Sequence, residues 1–75
     1  MERIFGSKLK SVMIQKCCGV EELAKLSGVK SYRISQLLSA NVSPVRLSTL
    51  GKISRALGVP FLLLTMKPNE EEKTK

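Results

Sequence analysis

The amino-acid sequence predicts an all-α protein of five helices, and three observations carry that reading. Apolar residues recur at spacings of three and four along most of the chain, the period of an amphipathic helix, whereas strand-like alternation is scarce. Gly or Pro punctuates the pattern at Gly19, Gly28, Pro44, Gly58 and Pro60, where helices would stop and start. Seventy-five residues suffice for one small domain and not for two. Such a chain buries only about 60% of the surface its unfolded form exposes, so its core is modest.

Taken in order, Ile4, Phe5, Leu9, Val12 and Met13 predict a first helix over residues 3–16, broken by Cys17-Cys18-Gly19. A second helix is expected over 20–27. It opens with Glu21 and Glu22, which suit the positive end of the helix dipole; Leu23 and Leu26 are its apolar positions, and Gly28 stops it. The third helix, 31–39, takes Ser31 as N-cap and carries Ile34, Leu37 and Leu38. After a loop at 40–43, Pro44 fits the first turn of a fourth helix, where its missing N–H is not needed. Leu47, Leu50, Ile53 and Leu57 continue that helix to Gly58. Pro60 opens a fifth, very apolar segment, 61–66. The expected organisation is one domain over 1–66 and a disordered charged tail over 67–75, which has no apolar residue to hold it down.

The charge points to a partner. Thirteen Lys and Arg against six Glu, with no Asp and no His, give a formal net charge of +7. Residues 67–75 are neutral, so the whole excess sits on 1–66. A compact basic body implies a polyanion, either nucleic acid or an anionic membrane surface. The same composition argues against catalysis. Without His or Asp there is no Ser-His-Asp or Cys-His arrangement and no His-containing zinc site. Two cysteines cannot complete a four-ligand metal site, so no enzyme, metal or cofactor is expected. Adjacent Cys17 and Cys18 do not resemble a secreted disulfide framework. Cys18 is expected in an apolar position before the second helix and Cys17 in the loop. The longest apolar run is Phe61-Leu62-Leu63-Leu64, far short of the roughly 20 residues of a membrane span. The N-terminus has no apolar core of signal-peptide type. A reduced, cytoplasmic, soluble protein is the expectation.

The informative stretch is 20–38: helix, Gly-containing turn, helix. Ala24 is small where one helix must cross closely over the other, Gly28 permits the tight turn, and Val29 plugs the space beneath it. Ile34 and Leu37 face inward, which leaves the other face of their helix to solvent. This pattern resembles the helix-turn-helix of the phage-repressor and Cro-like (Xre-type) DNA-binding family. The resemblance rests on Leu23-Ala24-Lys25-Leu26-Ser27-Gly28-Val29, on Ile34-Ser35-Gln36-Leu37-Leu38, on Leu47-Ser48-Thr49-Leu50, and on Ile53-Ser54-Arg55-Ala56-Leu57-Gly58-Val59. It covers roughly residues 4–64 without an insertion.

The resemblance implies a compact five-helix, lambda-repressor-like domain whose third helix lies in the major groove, usually as a dimer on a near-palindromic operator. Carried over position by position, Ser31, Tyr32, Arg33 and Gln36 face the bases. Gln36 suits adenine through N6/N7, and Arg33 suits guanine through O6/N7. Lys30, Asn41, Ser43 and Arg46 are assigned to phosphate. So are the backbone N–H groups of Gly19 and Val20, because Val20 stands where the family often has a phosphate-clamping Gln. Met13 and Leu38 occupy positions at which many members pair Arg with Glu, so an apolar contact is expected in place of an ion pair. Ala40 stands where Gly commonly ends the recognition helix, and Asn41 is expected to take over part of that role.

Four consecutive apolar residues cannot all face inward from one short helix. The surplus among Phe61, Leu62, Leu63 and Leu64 therefore implies an interface, and a homodimer is the preferred reading. The function implied is a sequence-specific duplex-DNA-binding transcriptional regulator, most simply a repressor, with no membrane and no small-molecule ligand. The main alternative is an antitoxin-type interaction module that binds a toxin partner, with or without its own promoter.

Overall fold

The computed structural model describes residues 2–66; the expected tail, 67–75, lies outside them. Five helices and two short strands follow one another as β1 (Glu2–Phe5), α1 (Gly6–Gln15), α2 (Val20–Ser27), α3 (Ser31–Ser39), β2 (Val42–Val45), α4 (Leu47–Leu57) and α5 (Leu62–Thr65). The helices enclose one cluster of buried side chains. It comprises Leu9, Val12 and Met13 of α1, Leu23 of α2, Ile34 and Leu37 of α3, Leu50, Ile53 and Leu57 of α4, and Leu64 of α5, completed by Ile4 and Val45 from the strands. Each fully buried Leu or Ile contributes about 1.5–3 kcal/mol by leaving water.

The strands are the main departure from the all-α expectation. Residues 2–5 do not begin the first helix but pair antiparallel with β2, in the register Glu2↔Val45, Arg3↔Pro44, Ile4↔Ser43 and Phe5↔Val42. Pro44 therefore lies in a strand, not in the first turn of a helix, and α4 begins at Leu47 with Arg46 as its N-cap. A proline lacks the ladder N–H, but a two-stranded ribbon has only edge strands, where this is tolerated. Gly6 fixes the change from strand to helix. A Cβ there would collide with the carbonyl oxygen of Ala40 and lie 2.9 Å from that of Leu37. The Gly6 N–H donates to Asn41 O at 3.1 Å, so the start of α1 is seated on the end of α3.

Smaller corrections have similar causes. Lys30, in extended conformation, is the N-cap of α3, and Ser31 is its first helical residue. Leu26 and Leu47, read as apolar positions of their helices, are 60% and 66% exposed. Lys8 of α1, a cation, is buried. The fifth segment contracts to a single turn with Phe61 as N-cap: Leu64 is buried against β1 and α1, Leu63 is half-buried, and Leu62 is exposed.

Three helices end in left-handed backbone. Gly28 (φ 77°) and Gly58 (φ 69°) close α2 and α4, and both were legible as glycines. Cys17 (φ 53°) does the same for α1 without being glycine. Its N–H donates to Ile14 O at 3.1 Å, and the Cys18 N–H donates to Met13 O at 2.9 Å. The same two-bond cap closes α4, from Gly58 to Arg55 O and from Val59 to Ser54 O.

Candidate nucleic-acid interface

The turn between α2 and α3 is locked from within. Gly28 N–H donates to Ala24 O at 2.9 Å. The buried Ser27 hydroxyl donates to Leu23 O at 2.7 Å and accepts from the Val29 N–H at 3.1 Å. Ser27 thus ties the last turn of α2 to the first residue after Gly28; the sequence reading gave it no role, because a serine near a helix end has many uses. Val29 packs against the core as expected.

With Ile34 and Leu37 fully buried, α3 presents its polar face outward. Tyr32 is 63% exposed, Gln36 is exposed, and Ser31 and Arg33 are half-buried. This face borders an open groove of about 660 Å³ lined by Tyr32, Arg33, Ser35, Gln36, Ser39, Ala40 and Ser43. The groove brings together three of the four expected base-facing residues, and it adds Ser35 and Ser39, which had not been singled out. Ser43 is only 7% exposed and lies at the floor, facing the same side of β2 as Val45. Ser39 Oγ donates back to Ser35 O at 2.9 Å, which keeps its hydroxyl close to the helix.

Arg33 is tethered at both ends of its fork. One terminal nitrogen donates to Gln36 Oε1 at 3.4 Å and the other to Pro44 O at 3.1 Å. The guanidinium thus links α3 to β2, and Gln36, with its oxygen facing Arg33, offers its amide nitrogen as a donor. The strand that supplies the Pro44 carbonyl was not foreseen, so neither was this link.

The residues assigned to phosphate differ in exposure. Asn41 and Arg46 are exposed, and so is Gly19 ahead of α2; Val20 is half-buried. Gly19, Lys30 and Arg46 are the N-caps of α2, α3 and α4, and none of the three helices receives a side-chain capping bond. A helix start leaves its first N–H groups without intrahelical partners and carries the positive end of the dipole. Here the usual capping Ser, Thr, Asp or Asn is replaced by glycine once and by a cation twice. Open N–H groups with a cation beside them suit an anion from outside the chain.

Met13 is buried and Leu38 half-buried, and both line a second, smaller depression beside Gly19 and Val20. No group of three or more His, Cys, Asp or Glu capable of holding a metal occurs among the described residues. No helix among them is long and apolar enough to cross a membrane.

The site thus joins an exposed polar helix over a buried core to uncapped helix starts on a basic body. The model of the Cro/C1-type HTH DNA-binding domain family matches residues 8–61, and the chain belongs to that family. Among solved structures, the hypothetical transcription factor NHTF from Neisseria is 26% identical with a TM-score of 0.80, over 93% of this chain and 79% of that one. Part of Streptomyces albus HEPD, solved with 2-hydroxyethylphosphonate and Fe(II), is 34% identical with a TM-score of 0.73. That match covers 80% of this chain but only 14% of HEPD, so the chain spans a small part of that protein. Comparison with curated proteins gave no match. Family and fold together give this chain a DNA-binding domain of the Cro/C1 type.

Proposed function

We propose that the protein is a sequence-specific transcriptional repressor whose DNA-binding domain is residues 1–66. In this reading α2 and α3 are the helix-turn-helix, α3 enters the major groove, and two copies bind a near-palindromic operator. One observation carries the reading: the exposed polar face of α3, Tyr32, Arg33 and Gln36, borders an open groove above a core-facing Ile34 and Leu37. Gln36 and Arg33 read base edges, Tyr32 stacks on a sugar or contacts a thymine methyl, and Ser31 faces the bases but is too short to discriminate strongly. Lys30, Asn41, Arg46 and the N–H groups of Gly19 and Val20 hold phosphates, with Ser43 beneath them. Repression follows most simply from occluding a promoter.

The dimer rests on a different feature. Phe61 is 45% and Leu62 60% exposed, whereas Leu64 beside them is fully buried. The apolar surplus of 61–66 thus reaches the surface, where a second copy would cover it. Salt titration of duplex binding tests the function. The wild-type protein should lose affinity steeply as salt rises. Gln36→Ala should lower affinity for the preferred duplex by about 1–3 kcal/mol while leaving random duplexes nearly unaffected. Equal losses on both would remove α3 as the reader.

A further inference from the structure

The turn between α1 and α2 carries the two cysteines of the chain, both as free thiols, and both line one depression of about 330 Å³. Its other walls are mostly apolar: Met13, Ile14, Val20 and Leu38. Ile14 is 66% exposed at the rim, whereas Met13 is buried. Cys17 is exposed and Cys18 half-buried, so one thiol faces solvent and its neighbour the edge of the core. Burial, and then the nearby Glu22 carboxylate, push the Cys18 thiol above its ordinary pKa. A protonated thiol is a poor nucleophile for alkylation or peroxide. Two neighbouring thiols can together displace oxygen from a soft trivalent centre, each forming one bond to it. No third His, Cys, Asp or Glu joins the pair to hold a metal ion among the described residues, so a centre needing only two protein sulfurs fits best.

We infer that Cys17 and Cys18, at the mouth of this depression, form a capture site for a trivalent organoarsenical bearing one compact apolar group. Each S–H passes its proton to the arsenic-bound oxygen. Two As–S bonds form, the As–O bonds break, and one water leaves. Arsenic stays trivalent and no electrons are transferred. The apolar group lies in the depression against Ile14 and Leu38. Gly19 and Val20 line the same depression. On the proposed DNA reading, which this consequence alone requires, filling it disturbs the phosphate contact at the start of α2 and weakens duplex binding.

The test treats the full chain with phenylarsine oxide and, separately, with arsenite, reading intact mass under native conditions. One phenylarsenic group per chain, with the loss of two thiol hydrogens, is expected. Cys17→Ser and Cys18→Ser should each retain the probe roughly a hundredfold less tightly against a competing monothiol, because the second bond is then no longer intramolecular. Ile14→Ser changes an exposed side chain and spares the core. It should weaken phenylarsenic capture roughly tenfold by exposing the ring, and leave arsenite capture unchanged. Retention by either single-cysteine variant as tight as wild type would overturn the site, and so would equal effects of Ile14→Ser on the two probes. Unchanged duplex affinity in fully modified protein would overturn the coupling. Failure of the unmodified protein to bind any duplex would instead overturn the DNA reading, because the mass measurements involve no DNA.

Discussion

Lys30 and Arg46 are poor choices for stability at the positions they occupy. An N-cap normally supplies an oxygen to the open N–H groups, and a cation beside the positive helix end is repelled. Both are intelligible if the missing anion is a DNA phosphate. Arg46→Ser should therefore stabilise the folded chain by about 1 kcal/mol, read from denaturant unfolding. The same substitution should weaken binding to every duplex alike and lower the salt slope by about 1. Loss confined to one sequence would instead make Arg46 a base reader. Cys17 is a second residue at odds with its backbone. It holds the left-handed position that glycine fills at Gly28 and Gly58. Cys17→Gly should relieve about 1 kcal/mol of that strain, less the entropy glycine adds to the unfolded chain, and so raise the unfolding midpoint slightly. A lowered midpoint would mean that the thiol contributes packing that outweighs the strain.

At the scale of elements, what was legible had a local cause. The ends of α2 and α4 were readable because a left-handed cap selects glycine, and α3 because Ile34 and Leu37 recur at helical spacing. The strands were not readable. Ile4 and Phe5 fit the start of a helix as well as a strand, and four-residue strands show too little alternation to be told apart. Their pairing is also non-local, since β1 finds its partner only after three helices have intervened. Gly6 is the residue that decides between the two readings. Gly6→Ala should destabilise the chain by about 1–3 kcal/mol or more, because backbone carbonyls rather than a flexible side chain must yield. Thermal unfolding measures this, and a neutral substitution would show that the strand-to-helix junction is looser than described. The candidate interface was read mostly from family resemblance. The tether from Arg33 to Pro44 O and the support from Ser27 were missed, since each depends on backbone brought close only by the fold.

For the whole molecule, the excess positive charge and the surplus apolar surface make separate demands. The charge is answered by a polyanion; the exposed Phe61 and Leu62 are answered, on the proposed reading, by a second copy. Burying two such side chains supplies about 3–6 kcal/mol, against an association cost of at least about 4 kcal/mol. A dimer that is weak in free solution and strengthened on paired half-sites follows. Sedimentation over a concentration series, with and without duplex, checks this, and Leu62→Ser should weaken the dimer without unfolding the chain. A strict monomer that binds one half-site as tightly as two would remove the homodimer.

The central claim is that α3 reads sequence, and selection of bound duplexes from a random pool tests it most directly. The wild-type chain should enrich a near-palindromic site with half-sites about one helical turn apart, and Gln36→Ala should lose its preference at one base pair of each half-site. No enriched sequence, or the same sequence enriched unchanged by both Gln36→Ala and Arg33→Ala, would contradict it.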